Sequence, residues 1–558
     1  MSTPPLIDLS IRPAGLSFPN KPFKSSLKNV TKSPVLNSGL ERYEGQWSFE
    51  TAKHLLKRAT YGPNKETIDQ GLALGMDGLV EMLLTDLDAP EPPINYNYDQ
   101  DPFVPIGNTW VDQPDLENTN NYRERSLRAW LTGLMINEGI SAREKMTLFW
   151  HNHLVTADVP VAKFNYQYLA LLRSYAFGNF RTLIEEITIN PSMLFYLNGN
   201  QNSQQAPNEN YARELCELFT VGKGEPVGPG DYTTFTEDDV REISKILTGW
   251  RINYNPLDNG LPKNFFNIFR HDLSVKQLSN RFDNASVANE GENEYKTLIG
   301  IIFQNPYTAK YICKKIYQWF VYYQVDETIE ANVIEPMAKI LEDNDFEVKP
   351  VLEALFKSQH FYDINSVGCM IKSPIDFIVG SIKEFYLKMP DNFTQEYGLW
   401  LALYNVIAFL QQQPLLHPSV AGWKAYYQEP AFYRIWINSV TLPPRMNYAA
   451  IIGSIGYNVF DERFGVDTLQ LVEGLENPTD PNALIREIAD IAFVNGISDD
   501  QLVYLKEFLI PGLPDFEWTV EYQDYLNNPE DEAKKTAIQN RLRSLMAGML
   551  TMPEYQLQ

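Results

Sequence analysis

The sequence predicts a mainly α protein, a large multi-helix globular body with long irregular loops and at most short β-hairpins. Three observations carry this. Helix starts are unusually legible, strand-like alternation is scarce, and the 558 residues are 44% hydrophobic and 13% aromatic, ample for a packed core. Residues 1–45 read as an irregular N-terminal arm. The segment SFETAKHLLKRATYG then predicts a helix with Ser48 as N-cap and Gly62 near its stop. Ser141 with Glu144 predicts a capping box, and Thr236 precedes the acidic first turn Glu237-Asp238-Asp239. Asn305-Pro306 and Asn528-Pro529 each place proline at a first helical position, and Ser498 precedes Asp499-Asp500-Gln501. These elements divide the chain into a helical core over 46–445 and a C-terminal helical region over 446–558 that packs on it. A Pro/Asn/Asp-rich loop over 88–121 interrupts the core, and irregular stretches over 222–235 and 252–293 bracket a helix ending in Trp250.

Charge and cysteine usage narrow the function classes. With 71 acidic against 47 basic side chains the net charge is -24, which repels phosphate backbones and argues against nucleic acid as a partner. Cys216, Cys313 and Cys369 fit no zinc-finger spacing and read as buried thiols. The N-terminal residues lack the apolar run of a signal peptide, so none is visible. The longest apolar run, 399–410, is broken by Tyr404 and Asn405 and is too short for a transmembrane segment, so a soluble protein is expected.

The densest chemistry lies in REKMTLFWHNHLVT and PNENYARELCELFTVG. The chain has only six histidines, and two of them, His151 and His153, stand one residue apart. On a regular helix these two point to different faces, so sharing one metal requires the backbone to leave the helix near Asn152. His151, His153, Glu214 and His271 are the candidate ligands for a divalent metal ion, with Glu217 and Asp272 also at hand. The plainer reading makes His153 a satisfied core histidine beside Trp150 and His151 a cation at a helix C-terminus. Without the break, His151 shares a face with Glu144 and is the one expected to meet Glu214.

In the second stretch Asn210, Arg213, Glu214 and Glu217 share a face, with Arg213 and Glu217 spaced as an i, i+4 pair. Acid–base catalysis there would use Glu209 and Glu214, with His151 as the third candidate catalytic residue. A structural ion-pair network is the competing reading. The glycines of 222–230 lack the Walker spacing and a preceding strand, so a phosphate-cradling loop is not expected. Trp423, Tyr426 and Tyr427 follow a flexible Ala-Gly, where aromatic rings either stack on sugars or bury as anchors. Arg213, Trp250, Trp423 and Tyr426 are the candidate substrate- or partner-binding residues.

As a set, AKHLLKRATYGP, REKMTLFWHNHLV, NENYARELCELFTVG, YTTFTEDDVREISKILTGW, HDLSVK, PYTAKYICKKIYQWFV, KSPIDFIVG and SVAGW resemble, in order, the bacterial family called domain of unknown function 1800. The likeness runs from about residue 49 to residue 445 and onward, and the ending SLMAGMLTMPEYQLQ is similar to a Bacteroidetes-type branch. The resemblance implies a largely helical protein of unestablished activity, from a family in which many members are exported. Such members are often encoded beside sulfatase- or phosphatase-like proteins of the domain of unknown function 1501. Two departures stand out: His417-Pro418 replaces the usual proline pair before the Val-Ala-Gly-Trp loop, and the common export signal is not seen. The expectation is a hydrolase-like protein acting on an extracytoplasmic polymer such as a polysaccharide, by metal- or carboxylate-assisted chemistry, in a cleft between helices 141–153, 208–221 and 236–250. The alternative is a non-catalytic binding or assembly protein that partners the sulfatase- or phosphatase-like protein.

Overall fold

A computed structural model describes residues 6–11, 38–116, 118–424 and 435–558; Tyr426 and Tyr427 lie outside them. The fold is mainly α, and among the described residues the sheets are two-stranded antiparallel hairpins. The longest hairpin pairs Trp250–Asn253 with Lys263–Phe266, inside a stretch that reads as irregular in sequence. No helix of the described residues is long and apolar enough to cross a membrane.

Several helix starts follow their local chemistry. Ser48 opens the Phe49–Ala59 helix in a capping box with Thr51, and Thr236 does the same with Asp239 for Glu237–Ile246. Ser498 pairs with Gln501 at the head of Asp499–Leu509, and Asn305 caps Pro306–Phe320. Two starts differ. The Arg143–His153 helix has no side-chain cap at its N-cap residue, Ala142. Glu144 turns away from Ser141 into a buried bidentate pair with Arg173, at 2.7 and 2.8 Å, because a buried guanidinium outcompetes one backbone N–H. Asn528-Pro529 sits in a turn, and the last long helix, Glu532–Leu550, starts after Asp531 instead.

One continuous apolar core runs from the Phe49–Ala59 helix to Tyr555. Through it passes a set of buried charges that ties distant parts of the chain together. Lys57 Nζ lies 2.7 Å from Glu384 Oε1, Lys372 Nζ lies 3.5 Å from the same carboxylate, and Tyr555 Oη donates to Glu384 Oε2 at 3.2 Å. The last residues then run alongside residues 370–372: Lys372 N–H donates to Gln556 O and Gln558 N–H to Met370 O, both at 2.8 Å. This return places Gln558 beside the N-terminus of the Pro374–Glu384 helix, where it helps to form the floor of a cavity.

Candidate functional site

The Arg143–His153 helix stays regular through His153, and the Leu154 N–H still reaches Trp150 O at 2.7 Å. Three successive side chains at its end therefore fan out by about 100° each and pin three separate segments. His151 points inward. Its Nε2 accepts the Leu415 N–H at 2.9 Å, and its Nδ1 meets Tyr168 Oη at 2.8 Å, whose own proton goes to Leu154 O. A backbone N–H can only donate, so His151 is neutral with its proton on Nδ1. Burial agrees, holding its pKa down at about 3.

Asn152 Oδ1 accepts the Trp423 N–H at 3.1 Å. The approach is close enough that a Cβ on Gly422 would lie 2.3 Å from Asn152 Oδ1, and Gly422 has φ of +79°. Glycine is required there on both counts. His153 Nε2 donates to Phe219 O at 3.0 Å. That carbonyl ends the π-helical turn Leu215–Phe219, whose wider winding frees carbonyls from the ladder; the neighbouring Leu218 O accepts from Tyr311 Oη at 3.1 Å.

These three anchors assemble one wall of a cavity of about 180 Å³. Its apolar surface combines five aromatic side chains, Phe149, Tyr311, Trp319, Trp423 and Trp436, with aliphatic ones such as Leu148, Leu218 and Ile435. Its polar groups include Lys145, Asn152, His153, Lys315, Asp376 and Gln412. Asp376 is fully engaged, by the Lys145 ammonium, by Ser373 Oγ at 2.8 Å and by Gln558 Nε2 at 3.3 Å. The Pro306–Phe320 helix turns Tyr311, Lys315 and Trp319 toward the cavity at i, i+4 and i+8. Trp319 Nε1 is buried there with no acceptor.

The sequence-selected residues are dispersed. Glu209 is exposed on the first turn of its helix. Arg213 pairs with Glu237 through two 2.6 Å bonds and not with Glu217, which takes Lys223 at 3.2 Å. Glu214 is half-buried, and burial, followed by the nearby Glu217 charge, raises its pKa. Trp250 is buried against Phe266 and Tyr295. His271 is wholly enclosed: Nδ1 meets Thr248 O at 2.9 Å, Nε2 meets Glu294 Oε2 at 2.6 Å, and Lys276 Nζ sits on Glu294 Oε1.

The expected metal set of His151, His153, Glu214 and His271 therefore does not form. The helix does not break at Asn152, both nitrogens of His151 are occupied, and His271 is closed into its own knot. Among the described residues no group of three or more His, Cys, Asp or Glu could hold a metal ion. His153 is a buried, satisfied histidine beside Trp150, as the plainer reading expects, ring centroids 6.1 Å apart, whereas His151 is neutral and not a helix-end cation. His153 faces the cavity, while His151 lies behind it against His417, ring centroids 4.4 Å apart.

Of the binding candidates, Trp423 lines the cavity, its ring tilted by 36° against His417 with centroids 4.1 Å apart, and Arg213 and Trp250 do not; Tyr426 falls outside the described residues. Sequence reasoning passed over Lys145, Tyr311, Lys315, Trp319, Asp376 and Trp436. A signal for three of them was present in the i, i+4, i+8 spacing of Tyr311, Lys315 and Trp319 within PYTAKYICKKIYQWFV. The stretches REKMTLFWHNHLV, NENYARELCELFTVG, PYTAKYICKKIYQWFV, KSPIDFIVG and SVAGW all contribute to this one cavity. The family described as protein of unknown function (DUF1800) matches residues 54–557. No curated protein and no solved structure matches the chain.

Proposed function

We propose, for a chain that belongs to the family of proteins of unknown function DUF1800, that it binds a saccharide ring of a polysaccharide in the cavity between the Arg143–His153 and Pro306–Phe320 helices. The observation that carries this reading is the lining. Three tryptophans, a tyrosine and a phenylalanine supply apolar faces, and Lys315, Asn152, Gln412 and His153 supply polar atoms among them. A sugar ring has this same division, with C–H faces that lie on aromatic rings and hydroxyls at the rim that take hydrogen bonds. The size suits one ring and not a folded partner.

Binding is favoured over hydrolysis on chemical grounds. Glycoside hydrolysis in most families needs two carboxyl groups flanking the scissile bond, one protonated and one ionised. Among the described lining residues Asp376 is the one carboxylate, and Lys145, Ser373 and Gln558 already hold it. Chemistry on the held polymer, such as hydrolysis of a sulfate or phosphate ester it carries, would then belong to a partner. The sulfatase- or phosphatase-like domain of unknown function 1501 protein implied by the family resemblance suits that role.

The test is a titration of the purified protein with oligosaccharides, followed by tryptophan fluorescence and calorimetry. Binding should change the fluorescence, and Trp436→Ala should weaken it roughly tenfold, the loss of one stacked ring. Failure of every saccharide in a broad panel to bind at millimolar concentration would end this reading. Release of reducing ends, abolished by Asp376→Asn, would replace binding with hydrolysis.

A further inference from the structure

We infer that the ring held in this cavity carries an anionic substituent, a carboxylate or a sulfate, received by the Lys315 ammonium and the Trp319 indole N–H. The inference rests on the saccharide-binding reading and names the class of sugar.

Fully buried lysines, one of them in this same cavity, find a partner within the protein, a carboxylate or, for Lys163, the Gly260 carbonyl at 2.9 Å. Lys57 meets Glu384, Lys145 meets Asp376 and Lys276 meets Glu294, each in direct contact. Lys315 is different. Half-buried at the cavity, its Nζ lies over the Tyr311 ring at 5.0 Å, and no carboxylate of the described residues forms an ion pair with it. One turn further along the same face, Trp319 Nε1 is buried without an acceptor. An indole N–H can only donate, and burying it without an acceptor forfeits the hydrogen bond it makes to water.

The wall formed by the Pro306–Phe320 helix thus presents two donors that the described residues do not satisfy. The one side-chain carboxylate of the described lining, Asp376, is closed by Lys145, Ser373 and Gln558. Lys145 and Asp376 cancel, so the side-chain charge left over among the described lining residues is the positive one of Lys315. In a chain of net charge -24, long-range attraction cannot bring an anion in. Local, desolvated contacts can, and an ammonium with an indole N–H one turn away is suited to an oxyanion fixed to a ring.

Calorimetry with three probes of matched length tests this: neutral hexose, hexuronate and sulfated hexose oligosaccharides. The hexuronate or the sulfated probe should bind at least about tenfold more tightly than the neutral one, and which of them does so identifies the anion. Lys315→Met should remove that preference, bringing the affinity for the anionic probe down to that of the neutral probe measured on the same variant. Trp319→Phe, which keeps the ring and deletes the N–H, should lower the preference partway. Equal binding of all three probes by the unaltered protein would overturn the anion and leave the ring-binding reading standing. Failure of all three to bind would overturn both. An anion preference that survives in Lys315→Met would remove Lys315 from the account.

Discussion

Two regions of the molecule gather a histidine, a lysine and a carboxylate, and they use them in opposite ways. Around His271 the set is closed: His271, Lys276 and Glu294 are all fully buried, and they bind one another and Thr248. The knot joins the end of the Glu237–Ile246 helix region to the Glu294–Ile302 helix and does not line the cavity between the Arg143–His153 and Pro306–Phe320 helices. At the cavity Lys145 and Asp376 are closed in the same way, but Lys315 and Trp319 beside them are not. The residue types barely differ. The distinction that matters is an unsatisfied donor next to open volume, where a ligand can supply the acceptor.

The comparison breaks most easily at the closed knot. Glu294→Ala leaves the Lys276 ammonium buried without its partner and should cost about 3–5 kcal/mol, seen as a large drop in the thermal or denaturant midpoint. Saccharide affinity in the folded fraction should not change. If Glu294→Ala leaves stability intact but abolishes binding, the two regions have been assigned the wrong way round.

Acid should act on the inward-facing histidines with comparable force. Burial, with a smaller contribution from Arg58 for His54, holds the pKa of His54 and of His151 at about 3, below the unfolded value of 6.5. Between those values the unfolded chain binds more protons than the folded one. The stability is therefore fully present above about pH 6.5 and is lost as the pH falls. At pH 5 each of the two costs about 2 kcal/mol relative to pH 7. His360 and His417, whose pKa values burial also lowers, add in the same direction. Denaturant midpoints at pH 7 and pH 5 check this; equal midpoints would refute it.

At the cavity wall, Gly422→Ala places a methyl group against Asn152 Oδ1 in a left-handed backbone conformation. About 1–3 kcal/mol of destabilisation is expected. It should be accompanied by weaker saccharide binding, because the Trp423 N–H loses its register on Asn152. Thermal melting and the fluorescence titration read the two effects together; normal affinity would separate Trp423 from the site.

The smallest effect is expected at the polar helix face that the sequence singles out. Arg213 and Glu237 side chains are each 30% exposed, so Arg213→Ala should change stability by less than about 1 kcal/mol and binding not at all. Loss of binding in Arg213→Ala would return the functional site to that face.

Much of the fold was legible because helix caps are local. Ser48, Thr236, Asn305 and Ser498 each act within three residues, and they start helices as their sequences indicate. Ser141 fails for a non-local reason, since its would-be partner Glu144 meets Arg173 from another helix. The site was legible only in part. That His151 and His153 must diverge on a regular helix follows from helix periodicity, and they do diverge. Which of them faces a cavity depends on where Tyr168, Leu415 and Phe219 lie, and these come from three other parts of the chain.

By itself the sequence determined the class of fold, the caps that start its helices, the family and the geometric incompatibility of two neighbouring histidines, because each of these is set by local spacing or by ordered motifs. The tertiary structure alone decided that Asp376 is a spent carboxylate while Lys315 and Trp319 are open donors. Satisfaction of a polar atom is a property of what surrounds it, and residues hundreds of positions apart in the chain do the surrounding.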